Sequence, residues 1–386
     1  MLNLPIMMPF VNLSAQRDAY RQELGKAEKA VLDSGCYIGG PEVQALEREL
    51  SAYCGGVQTV TCGSGTQALE LALMVFGLEP GDQVIVPDFT FIAPAECVAK
   101  LGGIPVFADI DPKTLQIDPE SVKNLVGPRT KGIIAVNLFG QCAPYEALRK
   151  IADDHGLWIL EDSAQAFGAT YTAGDNGNEN AAGGKNAARG NVRRACSFGD
   201  ISITSFYPSK PLGCYGDGGA IFTANAEYAE KARLIANHGS RERYRHVEIG
   251  VNGRLDALQA AVLRVKLRHL DRELEQRAEN AKVYDEFFKD MPGVMPQAIA
   301  EGNTSTYAQY TVLAENRDEF IAKLNAAEIP YCIHYPMPLH RQACFEATAA
   351  SANSANCTVT EKICKQVISL PFCAFTDVKG VVEKLR

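Results

Sequence analysis

The stretch 203–222, ITSFYPSKPLGCYGDGGAIF, holds one lysine among hydroxyls and small residues. Ser205 and Ser209 precede Lys210, and Gly213, Gly216, Gly218 and Gly219 follow it. Such glycines let a backbone turn tightly and come close to a flat ligand. A lysine in this setting is poorly placed for a salt bridge and well placed for desolvation, which lowers an amine pKa. A neutral amine can attack an aldehyde and form a Schiff base. A tight turn carrying a solvated lysine is the other reading of the same residues.

Two further segments carry chemistry. Asp162 follows the apolar run Leu157–Leu160, so its carboxylate lies at a strand end in a mostly buried place. A buried carboxylate needs a cationic partner, and a protonated pyridine nitrogen would be one. Gln165, three residues on, could then donate to a ring hydroxyl. The alternative makes Asp162 the N-cap of the next helix. Upstream, a strand over Thr59–Cys62 passes through Gly63-Ser64-Gly65-Thr66 into a helix over Gln67–Phe76. Free N–H groups and the helix dipole make that junction an anion site, although a plain turn has the same pattern. It is neither a Walker A loop nor a dinucleotide fingerprint.

The elements that must position these residues alternate. Gln83–Pro87, Pro105–Asp109, Gly132–Asn137 and Trp158–Glu161 read as strands, with helices over Phe91–Leu101 and Tyr145–His155. This is the pattern of an α/β fold with a parallel sheet covered on both faces. Ligands in such sheets sit at the carboxyl ends of the strands, where residues 87–90, residues 161–165 and the Lys210 loop all lie. Helices are expected over 14–34, from Pro41 onward, over 226–239, and as one long run from Asp256 to Phe288. The segment 240–254 is polar and basic. Strand and helix mix beyond it, over Tyr307–Leu313, Phe320–Ala327, Tyr331–Tyr335 and Thr358–Ser369. The expected division is a large domain over 1–250 and, over 251–386, a long linking helix with a smaller α+β domain. Residues 172–196 read as a flexible insertion, and 347–357 as a low-complexity loop without chemistry.

With 386 residues and a formal net charge of -8, the chain has room for two domains and lacks the basic character of a nucleic-acid surface. No run approaches the roughly 20 apolar residues of a membrane helix. The start, MLNLPIMMPFVNLS, shows no basic region and no cleavage site. Twelve scattered cysteines match no zinc spacing. Together these features are read as reduced thiols in a cytoplasmic protein.

YIGGPEV, CGSGTQALELAL, EDSAQAFGA, SFYPSKPLGCYGDGGAIF and GVNGRLDALQAA follow one another over nearly the whole chain. In that order they resemble the DegT/DnrJ/EryC1/StrS family of sugar aminotransferases, which use pyridoxal 5'-phosphate (PLP). The resemblance implies fold type I, aspartate-aminotransferase-like, with a mainly parallel seven-stranded sheet in the large domain and a smaller α+β C-terminal domain. It implies that Lys210 holds PLP covalently and later shuttles protons, that Asp162 pairs with the pyridine nitrogen, and that Gln165 meets the ring hydroxyl. Gly65, Thr66 and Ser205 would bind the phosphate, together with Asn252 from a neighbouring subunit, and Phe89 would lie against the ring. A site shared in this way makes the homodimer the catalytic unit. L-Glutamate would donate the amine and leave as 2-oxoglutarate, with pyridoxamine 5'-phosphate as the intermediate form and ping-pong kinetics. Family dehydratases, which carry histidine in place of the lysine, are excluded by Lys210.

STYAQYTV and IHYPMPLH are most similar to the branch that aminates UDP-2-acetamido-2-deoxy-3-oxo-glucuronate for O-antigen and lipopolysaccharide sugars. The 172–196 insertion departs from the compact members of that branch. A sugar carboxylate and a diphosphate need cations, for which Arg241, Arg243, Arg245, Arg254, His238 and His334 are candidates. A solvated basic loop is the alternative for the arginines between 241 and 245. His334, Tyr335 and Tyr307 read as pocket residues, with a satisfied core histidine as the other reading of His334. The rival substrate is a dTDP-keto-6-deoxyhexose, which lacks the carboxylate. A PLP-binding or sugar-nucleotide-binding regulator without turnover is the rival from another class. It has no use for Lys210, Asp162 and Gln165 together.

Overall fold

Val84 and Val86 face one apolar core while Ile85 faces another, and Ile134 is split in the same way from Ile133 and Ala135. That alternation is the pleat of a sheet buried on both sides. The computed structural model describes residues 8–172, 192–346 and 357–386. Its strands are β1 (Gln58–Cys62), β2 (Gln83–Pro87), β3 (Ile104–Ala108), β4 (Thr130–Val136), β5 (Trp158–Asp162), β6 (Thr170–Thr172), β7 (Val192–Arg194), β8 (Ile201–Ser205) and β9 (Gly219–Thr223). Seven of them form the main sheet, in the order β1-β9-β8-β5-β4-β2-β3. Only β9 runs against its neighbours, pairing antiparallel with both β1 and β8. The resemblance implied this mainly parallel seven-stranded sheet, and it is present.

Helices Gly65–Phe76, Ala93–Lys100, Tyr145–His155 and Ala226–Ala236 cover the sheet. The hairpin β10 (Ser240–Glu242) and β11 (Arg245–His246) follows, and then a three-stranded sheet of β12 (Val294–Pro296), β13 (Tyr310–Ala314) and β14 (Val367–Leu370). That sheet has its own core, around Tyr284, Phe288, Tyr310, Val312, Ile368 and Phe372.

Three expectations need correction. The run from Asp256 to Phe288 is two helices, Ala257–Leu267 and Leu270–Phe288. At the break His269 stacks on Tyr20 with centroids 4.2 Å apart, and both His269 and Arg268 reach Glu23. The chain turns to place both side chains on the N-terminal helix. Residues 331–335 form no strand: Cys332 makes a single bridge to Ser369, and prolines 330, 336 and 338 on either side cannot donate to a ladder. The expected insertion is flanked by an ordered hairpin, β6 with β7, so its ends at 172 and 192–196 are part of the fold. Residues 173–191, like 347–356, lie outside the described residues. All twelve cysteines are free, and no helix of the described residues is long and apolar enough to cross a membrane.

Candidate active site

The Lys210 loop leaves β8 and returns to β9 through a network of its own. Phe206 N donates to Gly218 O at 2.7 Å, Cys214 N to Phe206 O at 2.8 Å, and Lys210 N to Tyr207 O at 2.9 Å. From outside, the buried amine of Lys266 donates to Gly213 O at 2.7 Å and Gln259 accepts from Tyr215 N at 2.8 Å, fastening the loop to helix Ala257–Leu267. Part of the Lys210 side chain stays accessible. Burial around its amine still pushes the pKa below the usual lysine value, opposed by the charge of Asp162. The charges of Lys210 and Asp162 thus act on one another.

Asp162 ends β5 and is 5 % exposed. Among the described residues its carboxylate accepts one hydrogen bond, from Ala164 N at 2.9 Å. Burial pushes its pKa up to about 6, against the Ala164 N–H and the charge of Lys210 and with the charge of Glu161. The N-cap alternative is not what the structure shows, because a turn rather than a helix follows β5. Gln165 lies in that turn, its Oε1 accepting from Phe139 N at 2.6 Å and its Nε2 donating to Tyr335 Oη at 3.3 Å. An amide nitrogen has two hydrogens, so one remains for a ligand.

Sequence reasoning assigned no role to Glu161, which is fully buried beside Asp162. Its Oε1 accepts from Asn137 Nδ2, Ser163 Oγ and Cys196 N, and its Oε2 from Phe198 N, Gly199 N and Ser202 Oγ, at 2.7–3.3 Å. The signal was available: two acids in sequence at the end of an apolar strand cannot both be left without partners. The donors come from segments distant in sequence, which concealed the answer.

At the junction of β1 with helix Gly65–Phe76, Ser64 caps Gln67 N at 3.1 Å and Ser64 O accepts from Ala68 N. The N–H groups of Gly65 and Thr66 take no acceptor among the described residues. A side chain at Gly65 would put its Cβ 2.6 Å from Ser205 Cβ, so only glycine lets the helix start and the Ser205 hydroxyl share this spot. Gly219 is equally constrained, since a Cβ there would lie 2.4 Å from Ser64 O. Gly65, Thr66 and Ser205 thus converge. Asn252 lies at the same end, its backbone oxygen accepting from Gln67 Nε2 at 3.3 Å and its Oδ1 from Arg254.

Phe89 is 1 % exposed and meets Phe139 and Tyr335 edge-on, with centroids 6.2 and 6.1 Å away. His334 shares Nδ1 with Ser369 Oγ at 3.0 Å. Burial and then the nearby Lys210 charge push its pKa down to about 4, so at neutral pH it is a hydrogen-bonding group and not a cation. Tyr307 adopts φ 44° and its carbonyl accepts from the buried Arg277 at 2.9 Å. Gln165, Phe89, Tyr335 and His334 form one connected group beside Lys210.

The basic rim is different. His238 and Arg254 are exposed. Arg254 donates to Asn237 Oδ1 at 3.1 Å and Asn252 Oδ1 at 2.8 Å, both neutral acceptors. Arg241 pairs with Glu230 at 3.8 Å and Arg245 with Glu242 at 3.3 Å, while Arg243 lies over the Tyr244 ring. Among the described residues, no hydrogen bond, ion pair or ring contact joins these rim residues to Lys210, Asp162 or Gln165.

A family model described as the DegT/DnrJ/EryC1/StrS aminotransferase family matches residues 19–386. The chain belongs to that family. It is 41% identical to the UDP-2-acetamido-2-deoxy-3-oxo-D-glucuronate aminotransferase of Pseudomonas aeruginosa, covering 97% of this chain and 98% of the relative. It is 39% identical to the dTDP-3-amino-3,4,6-trideoxy-alpha-D-glucose transaminase of Streptomyces venezuelae, over 94% of this chain and 90% of that one. The crystal structure of S. venezuelae DesV in complex with a ketimine intermediate superposes with a TM-score of 0.90 at 37% identity, covering 98% of both chains.

The family implies dependence on PLP, and the site of this aminotransferase-family chain fits that group. Asp162 is a buried carboxylate with no cationic hydrogen-bond partner among the described residues, held above its usual pKa by burial. The Gly65–Ser205 cradle combines free N–H groups, a hydroxyl and a space that a Cβ would fill. Lys210 supplies the desolvated amine.

Proposed function

We propose that this aminotransferase carries an amino group from L-glutamate to a UDP-linked keto sugar, UDP-2-acetamido-2-deoxy-3-oxo-glucuronate, and yields the 3-amino sugar. The pairing of a desolvated Lys210 with the under-partnered Asp162 carries the reaction type. The 41% identity over nearly both whole chains supports the substrate.

PLP, when bound, supplies an electron sink that lets the C–H bond on the amine-bearing carbon ionise. Gly65 N–H, Thr66 N–H and the Ser205 hydroxyl would hold its phosphate, helped by Asn252 of the partner subunit. The Asp162 carboxylate would keep a ring nitrogen protonated, and the spare Gln165 N–H would meet the ring hydroxyl. Phe89 would back Tyr335 on the ring side of the pocket. The Lys210 Nζ would hold the group and would take up and return the proton. Its lowered pKa favours the neutral form that both tasks require.

At the rim, Arg254 holds a charge that no carboxylate neutralises among the described residues, which makes it the receptor for the diphosphate or the sugar carboxylate, with His238 beside it. His334, Tyr335 and Tyr307 supply neutral hydrogen bonds to the sugar. The same reading takes a cytoplasmic homodimer as the working unit, 1–250 and 251–386 as its domains, and O-antigen or lipopolysaccharide sugars as its destination. A dTDP-linked keto sugar is the second reading, supported by the S. venezuelae transaminase.

Purified protein loaded with PLP is to be mixed with a panel of UDP- and dTDP-linked amino sugars, following the visible band of the bound cofactor. Loss of the band with the UDP 3-amino uronate alone supports the proposal. Loss with a dTDP amino sugar alone transfers the enzyme to the second reading. No visible band at all defeats the catalytic reading and leaves the regulator without turnover.

A further inference from the structure

Two segments flagged by sequence, 87–90 and IHYPMPLH, meet in a contact that the proposed chemistry does not use. Asp88, fully buried at the end of β2, accepts from His340 N at 2.9 Å through Oδ1 and from His340 Nδ1 at 2.6 Å through Oδ2. Its carbonyl accepts from Leu339 N at 3.0 Å. His340 is 7 % exposed, and its other ring nitrogen faces Glu361 at 3.5 Å. Asp109, at the end of β3, does the same for the next segment, accepting from Val359 N, Thr360 N and Thr360 Oγ1 at 2.8–2.9 Å.

A hydrogen-bonded pair this deeply buried contributes little net stability, and its geometric consequence is larger. One residue beyond Asp88 is Phe89, and five residues before His340 is Tyr335. Those two rings meet edge to face, and Tyr335 also accepts from Gln165. We propose that the Asp88–His340 pair is a positioning latch that holds segment 335–340 on the end of β2 and so sets Tyr335 against Phe89 and Gln165. The thiol of Cys357 lies within 4.8 Å of both groups, which makes a metal centre the competing use of this cluster. Its own hydrogen bond to Phe107 O at 3.5 Å and the short Asp88–His340 contact leave the three groups already partnered.

The inference rests on Gln165 and Tyr335 being site residues, and a double-mutant cycle on the PLP-loaded enzyme separates the two claims. His340→Ala is expected to lower kcat/KM about tenfold and to weaken PLP binding, read as an absorbance titration, by a similar factor. In a Tyr335→Phe background the same change is expected to cost less than about twofold, because the latch acts through Tyr335. His340→Gln, whose amide can donate to Asp88, is expected to recover most of the loss and serves in place of the alanine variant if that variant does not fold. Full additivity in the cycle overturns the latch alone. Unchanged activity and PLP affinity in Tyr335→Phe overturns the site reading and the latch with it. One tightly held zinc per chain, whose removal reproduces His340→Ala, overturns the latch in favour of a metal centre.

Discussion

The end of β5 and the segment 238–254 treat charge in opposite ways. At the strand end, among the described residues, Glu161 is sheltered by six donors, and Asp162 beside it has one. Along the rim Arg241 and Arg245 stand in water and pair with glutamates on neighbouring exposed positions. A buried charge left short of partners costs several kcal/mol, so a fold retains one where a ligand completes it. An exposed pair is worth about 0–1 kcal/mol and signals little. Residue type therefore misleads in both places. On the proposed reading, the acid that meets a ligand is the poorly satisfied one of the two, and the arginine that meets one is bonded, among the described residues, to amides.

Breaking the contrast at its centre gives the largest effect. Lys210→Ala is expected to fold normally and lose roughly 10³-fold or more in kcat, with partial recovery on adding a small primary amine. Turnover within tenfold of wild type without added amine would falsify the assignment. Glu161→Gln comes next, since an amide nitrogen cannot accept and would face donors on one side of the old carboxylate. Thermal unfolding is expected to show a loss of about 3 kcal/mol, where a purely replaceable side chain would show almost none.

Asp162→Asn sharpens the contrast because it moves stability the other way. Burial raises the folded-state pKa to about 6 from the ordinary 3.8, so between those values the folded chain holds more protons than the unfolded one. In PLP-free protein the stability from this group is fully present below about pH 4 and is lost as pH rises through 6. At pH 8 Asp162→Asn is expected to raise PLP-free stability by roughly 2–3 kcal/mol while lowering kcat/KM by about 10²-fold. A pH series of unfolding midpoints for both proteins checks the sign, and a destabilised variant at pH 8 would refute it.

Much of the fold was legible because its causes are local. The strands from Gln83 to Glu161 are short apolar runs between turns, and Lys210, Asp162 and Gly65 stand where such strands end. Cooperation across distance was less visible. The donors to Glu161 come from residues 137 to 202, and Asp88 meets a histidine 252 positions away. The break at residues 268–269 follows from what Glu23 and Tyr20 offer, not from any helix-breaking residue. His334 reads as a cation by type and is held neutral by burial, which its sequence neighbours do not reveal.

The smallest effects belong to the rim, and they divide it. Arg241→Gln and Arg245→Gln each remove an exposed pair and are expected to leave stability within about 0.5 kcal/mol and kcat/KM within about twofold. Arg254→Gln removes a cation whose present partners are neutral, so its charge is free to meet an anionic substrate. Its KM for the nucleotide sugar is expected to rise about tenfold with kcat nearly unchanged, the pattern of lost uniform binding. Added salt should erode the wild-type advantage, since exposed charges are screened over about 8–10 Å. Equal KM values for all three variants would mean that the distinction between neutral and carboxylate partners carries no information about binding.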